Sequence, residues 1–160
     1  VLVRTLLQCG KNAEALEQAL VGYEEMLEYM PNDSSHMLTV RRNIGVAFQR
    51  NDRNNEAREF FIELWQDCRE VLGPNDPLTI VSRYGAYVNG ARAGMSIPEL
   101  VAELPPIAEA VLASPPIPAN LLQPAAYEKL LTELIAYLEP GGAHAELVDG
   151  LKLRLEQTRR

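Results

Sequence analysis

Two stretches of this chain repeat each other, and that repetition restricts the fold more than any other feature. The residues from Asn12-Ala13-Glu14-Ala15 to Met30-Pro31-Asn32-Asp33 run parallel to those from Asn55-Glu56-Ala57 to Leu72-Gly73-Pro74-Asn75-Asp76. Each opens on a Glu-Ala pair, has a large aromatic in its middle (Tyr23, Trp65) and ends in a Pro-Asn-Asp turn, at an offset of about 42 residues. A second correspondence joins Leu38-Thr39-Val40 and Ile44-Gly45 to Leu78-Thr79-Ile80 and Tyr84-Gly85, at an offset of about 40. Similarity at a fixed period of this size is the mark of a repeat architecture, in which each unit buries its apolar face only by stacking on its neighbours.

Periodicity assigns the units to helices. Between Leu38 and Arg50 the apolar residues Leu38, Val40, Ile44, Ala47 and Phe48 recur mostly at spacings of three to four, which predicts a packed helix. From Glu56 to Leu72, Ala57, Phe60, Phe61, Leu64, Trp65, Cys68 and Leu72 form one wide stripe, with Glu59, Glu63, Gln66, Asp67 and Glu70 opposite it. The polar turn Asn51-Asp52-Arg53-Asn54-Asn55 between them predicts an antiparallel hairpin. Gly73-Pro74-Asn75-Asp76-Pro77 then combines a helix-terminating glycine with prolines that open the next helix.

On these residues the chain resembles the tetratricopeptide repeat, in the long form known from kinesin light chains and many bacterial proteins. The wording Thr39-Val40-Arg41-Arg42-Asn43-Ile44-Gly45-Val46-Ala47-Phe48, then Glu56-Ala57, then Leu72-Gly73-Pro74-Asn75-Asp76-Pro77-Leu78-Thr79 carries it. The resemblance implies an all-α, right-handed superhelical stack of helix hairpins. It also implies small residues at Gly45 and Gly85 in first helices and alanines at Ala15 and Ala57 in second helices, where helices approach closely. Gly10 and Ala15 then fit a preceding repeat whose first helix is cut at Val1, and the start without Met suggests a piece of a longer protein. A HEAT-like stack suits the period as well, but not the Leu-Gly-Pro-Asn-Asp-Pro wording.

The likeness fades beyond about residue 90. A first helix from Thr79 to Ala93 is expected, but Pro105-Pro106 interrupts the second, so a bent helix from Pro98 to Ala113 is predicted, with Leu100, Val101, Leu104, Ile107, Val111 and Leu112 inward. Ser114-Pro115-Pro116-Ile117-Pro118 reads as a stiff connector. Two further helices follow, on the stripes Tyr127-Leu130-Leu131-Leu134-Ile135-Leu138 and Leu147-Val148-Leu151-Leu155. The expected organisation is three repeats over 1–113 (about 1–36, 37–77 and 78–113) and a divergent helical cap over 119–160.

Charge and chemistry narrow the function. With 15 Lys+Arg against 22 Asp+Glu the net charge is −7, which repels a phosphate backbone and argues against nucleic acid. No apolar run has the length of a membrane span. Cys9 and Cys68 have no metal-ligand or disulfide spacing and read as buried or partly buried thiols in a reducing cytosol. His36 and His144 read as exposed loop residues without a nearby nucleophile, and the glycines follow no strand, so no catalytic residue, metal site or cofactor is expected.

What remains is recognition. The resemblance implies that first helices line a concave groove holding an extended or helical peptide. Phasing from Gly45 places Thr39, Arg42, Val46, Gln49 and Arg50 toward it, and the same phase from Gly85 places Thr79, Ser82, Ala86 and Asn89 there, with Asn43, Arg83 and Tyr87 beside them. The helix from Leu38 to Arg50 carries Arg41, Arg42 and Arg50 and no acid, whereas residues 14–33 carry six acids and no base. A basic strip suits an acidic peptide or carboxylate; alternatively Arg41 and Arg42 pair with acidic helices of neighbouring repeats. The aromatics Phe48, Tyr84, Tyr87 and Trp65 likewise serve either packing, as expected for Trp65, or a ligand cage, with Tyr87 the best candidate for exposure. The expected function is a non-catalytic, cytoplasmic protein-binding module. The alternative is a regulatory, sensor or self-associating domain of a larger signalling or transcription-regulating protein, with the groove receiving a segment of its own chain.

Overall fold

A computed structural model describes residues 2–160, apart from the side chain of Val3; the expected cut of the first helix at Val1 lies outside the described residues. Nine helices are present among them: α1 (Leu2–Gln8), α2 (Asn12–Leu27), α3 (Ser35–Arg50), α4 (Asn54–Val71), α5 (Pro77–Arg92), α6 (Ile97–Ala102), α7 (Leu104–Ala113), α8 (Pro124–Leu138) and α9 (Ala145–Thr158). They pack as successive antiparallel hairpins, making an all-α solenoid.

Local chemistry sets the ends. Ser34 caps α3 by accepting a hydrogen bond from the Met37 amide at 3.3 Å, and Asp76 caps α5 by accepting one from Leu78 N at 2.8 Å, with Pro77 at the first helical position. The turns between hairpin helices place Gly10, Asp52 and Gly94 in the left-handed region, at φ values of 73°, 57° and 85°. These turns fall at positions 10, 52 and 94, a spacing of 42, and the starts of α2 and α4 and of α3 and α5 show the same spacing. The structural period is therefore 42. The likeness at 40 between Leu38-Thr39-Val40 and Leu78-Thr79-Ile80 is not a structural equivalence.

Close approach is organised around one ring. Phe61 of α4 wedges between α3 and α5: a Cβ on Gly45 would stand 2.7 Å from its Cζ, and one on Gly85 2.8 Å from its Cδ1. Ala15 and Ala57 are fully buried where α2 and α4 meet the first helices. Three apolar clusters succeed one another along the stack. The first centres on Leu16, Ile44 and Phe48, the second on Leu38, Phe61 and Leu64, and the third on Ile107, Leu131 and Leu134.

The expected bent helix resolves into α6 and α7, broken at Glu103 ahead of Pro105-Pro106. The break is held by Arg58 of α4, whose Nη1 donates to Ala86 O and Nη2 to Glu103 Oε1, both at 2.7 Å. Arg58→Ala is expected to cost about 2–3 kcal/mol, because it leaves a half-buried carboxylate and a carbonyl unpaired. Arg58→Lys should recover only part of that, since one ammonium cannot span both acceptors. Urea denaturation of the two variants checks this. At the end of α7, Arg154 Nη2 donates to Leu112 O at 3.3 Å and Ser114 O at 3.4 Å, closing the helix where the connector leaves.

Candidate functional site

Helices α1, α3, α5 and α8 border one face of the stack, the groove, and the connector between α7 and α8 crosses it. Its residues 118–122 form a turn in which Leu121 N and Leu122 N donate to Pro118 O at 2.9 and 3.1 Å. Leu121 packs on the cluster containing Phe61, and Leu122 on the cluster of α5 and α8. Arg42 Nη2 donates to Leu121 O. The proline-rich stretch therefore does more than span a gap: it docks in the groove as a strap.

The strap leaves a cavity on either side. One, of about 530 Å³, is lined by Arg4, Gln8, Thr39, Arg42, Asn43, Val46, Arg50 and strap residues 119–121 and 123. The other, of about 600 Å³, has an apolar floor of Phe61, Val81, Tyr84, Tyr87 and Val88 and a polar rim that includes Gln49, Arg92, Lys129 and Glu133. Arg42, Val46, Arg50 and Gln123 border both.

Electrostatics single out Arg42. Its Nη1 donates to Asn43 Oδ1 at 3.3 Å, and its Nε is buried without a partner among the described residues. Burial, and then the neighbouring charge of Arg50, hold its pKa below the usual arginine range. Arg50 donates from Nη1 to Leu7 O at 2.7 Å. Among the described residues neither arginine has a carboxylate partner. In the second cavity Tyr84 OH donates to Glu133 Oε2 at 3.2 Å, and burial, then the Glu133 charge, push the Tyr84 hydroxyl up, so it stays a donor. Tyr84 and Tyr87 stack with centroids 6.1 Å apart.

Of the residues expected in the groove, Thr39, Arg42, Asn43, Gln49, Arg50 and Tyr87 line these cavities, although Tyr87 is buried rather than exposed. Val46 lines both as well. Five lie elsewhere. Thr79 and Ala86 are buried, Thr79 donating from Oγ1 to Gly73 O at 2.8 Å. Ser82 is fully buried and donates to Leu78 O at 2.7 Å. Asn89 is fully buried, donating to Gln49 Oε1 at 3.1 Å and Gly85 O at 2.8 Å. Arg83 points to another face, its guanidinium 4.6 Å from the Trp65 ring centroid, where half-buried Trp65 borders a separate cavity of about 380 Å³. The phase from Gly45 to Gly85 corresponds to the offset of 40 rather than to the structural period of 42. Shifting Thr39, Arg42, Asn43, Val46 and Arg50 by 42 gives Val81, Tyr84, Gly85, Val88 and Arg92, all of which border the second cavity. The spacing from the Ser34 cap to the Asp76 cap was the sequence signal for that register.

The two adjacent arginines divide the alternatives between them. Arg41 is buried and ion-paired at 2.6 Å with Asp67 of α4, whereas Arg42 faces the groove. Cys68 is buried as expected, but Cys9, at the end of α1, is exposed. His36, His144, Cys9 and Cys68 line none of the three cavities. A thiol reagent should therefore react with one cysteine in the native chain and with both after unfolding. Burial pushes the Cys68 thiol up to about 11. Because the folded state holds that proton more tightly, its contribution is intact below the ordinary value of 9.0 and is lost as pH rises through about 11. The melting temperature should fall across that window, less steeply in Cys68→Ala.

A family model described as the tetratricopeptide repeat matches residues 37–78. No curated protein matches this chain. Among solved structures, that of BtubC (BKLC) from P. vanneervenii is similar, with a TM-score of 0.71 at 13% identity over 99% of this chain and 60% of that one. This chain thus spans less than two thirds of that protein's length, and at this identity the likeness is one of fold. None of the described helices is long and apolar enough to cross a membrane. With a tetratricopeptide repeat matched over residues 37–78 and the hairpin stack continued on both sides of it, this chain is an all-α solenoid that contains a tetratricopeptide repeat.

Proposed function

We propose that this chain is a non-catalytic, cytoplasmic interaction module that holds an extended acidic segment of another protein in its concave groove, with α8 and α9 as the cap of the stack. One observation carries this reading. In a chain of net charge −7, Arg4, Arg42 and Arg50 border one cavity in which no lining residue is acidic. Tetratricopeptide repeats generally mediate protein–protein interaction, which is consistent with a groove of this chemistry.

The arrangement is suited to capture. A guanidinium that is half desolvated and already beside another cation gains more from a carboxylate than an exposed arginine does, because its hydration has been given up in folding. The acidic outer surface repels acidic ligands elsewhere and so favours the groove. The test is fluorescence anisotropy with labelled acidic, neutral and basic peptides of equal length. The acidic peptide should bind best and weaken as salt rises; equal binding of all three would remove the basic groove as the recognition element.

A further inference from the structure

The strap sits on Arg42 in the position a bound peptide would occupy, and its chemistry is that of a stand-in. Its only hydrogen bond to the Arg42 guanidinium is through the Leu121 carbonyl, a neutral acceptor. Arg42 Nε, buried beside it, has no partner among the described residues, and Arg50 adds a second cation nearby. A carboxylate brings a full opposite charge to the arginine and can take two of its donors at once, neither of which a single neutral carbonyl does. The strap's apolar grip comes from Leu121 and Leu122, which pack on clusters that also form the groove floor. Cavities lie on both sides of the strap, so a segment lying along the groove must cross its position.

We propose that residues 118–123 are a displaceable internal ligand, holding the place of a leucine-bearing acidic segment of a partner protein that takes their position on Arg42. This rests on the groove-binding reading above. The strap lacks any acid of its own, since the stretch from Pro118 to Gln123 is uncharged. It competes through tethering, which supplies an effective concentration in about the millimolar range, and a ligand supplying both leucines and carboxylates outmatches it contact for contact. The strap then raises the threshold for binding and rejects segments that offer leucines without charge.

The test uses the 160-residue chain, a labelled peptide of sequence DELLDE and its uncharged analogue QNLLNQ. If the strap is closed in about nine molecules of ten, Leu121→Ser should bind DELLDE about tenfold more tightly than the parent chain does. In the parent chain, adding DELLDE should speed hydrogen exchange at the Leu121 and Leu122 amides, because the turn that protects them opens. QNLLNQ should do neither. If DELLDE binds and Arg42→Glu abolishes binding, yet the strap amides become more protected, the groove reading stands and the displaceable strap is overturned. Unchanged or weaker binding by Leu121→Ser overturns it too. If DELLDE does not bind either chain, the groove reading falls and the strap proposal with it.

Discussion

Phe61→Ala is expected to destabilise the chain by about 3–5 kcal/mol, the usual cost of removing a buried aromatic whose space cannot collapse. The ring is the common support of two helices. Gly45 lies nearest its Cζ and Gly85 nearest its Cδ1, so neither α3 nor α5 has a side chain at that point to fill the gap. Gly45→Ala and Gly85→Ala in the parent chain should each cost about 1–3 kcal/mol by overpacking. In the Phe61→Ala background the same changes should cost little or become favourable, because the added methyl then enters a vacant space. Urea denaturation of the six chains measures the coupling, and strict additivity would show that the glycines do not make room for the ring. Since Phe61 also borders the groove, its loss should weaken ligand binding as well.

Arg42→Glu carries the second large effect. It removes charge-assisted hydrogen bonds and places a negative charge where an acidic segment binds, a combination expected to lower affinity for the acidic peptide by about a hundredfold or more. Arg41→Glu is the control one residue away. Arg41 is 4% exposed and pairs with Asp67 beneath the helix, so its reversal should cost stability while the folded fraction binds as before. Anisotropy titration and thermal melting on both variants separate the roles. Equal loss of binding in both would mean that the field of the whole helix, rather than the position of Arg42, attracts the ligand.

Much of the fold was legible because hairpin repeats write themselves locally. The polar turn at Asn51-Asp52-Arg53, the glycine and prolines from Gly73 to Pro77, and the stripe from Ala57 to Leu72 each fix an element through nearest neighbours. The residues that border the two cavities were legible on α3 but only partly on α5. There two wordings at offsets of 40 and 42 competed, and a shift of two residues turns a helix by about 200°. That turn carried Ser82 and Asn89 into the core and Arg83 to another face. The strap was not legible at all, since its place depends on contacts such as Arg42 to Leu121, 79 residues apart, which no local pattern encodes.

Backbone amide chemical-shift mapping of the isotopically labelled chain during titration with the acidic peptide locates the binding surface. Shifts are expected on the groove side of α3 and α5, from Thr39 to Arg50 and from Val81 to Arg92, on the strap from Ala119 to Gln123, and on the facing part of α8. Shifts confined to α2, α4 and α9, with the strap and the surroundings of Arg42 unmoved, would contradict binding in the groove.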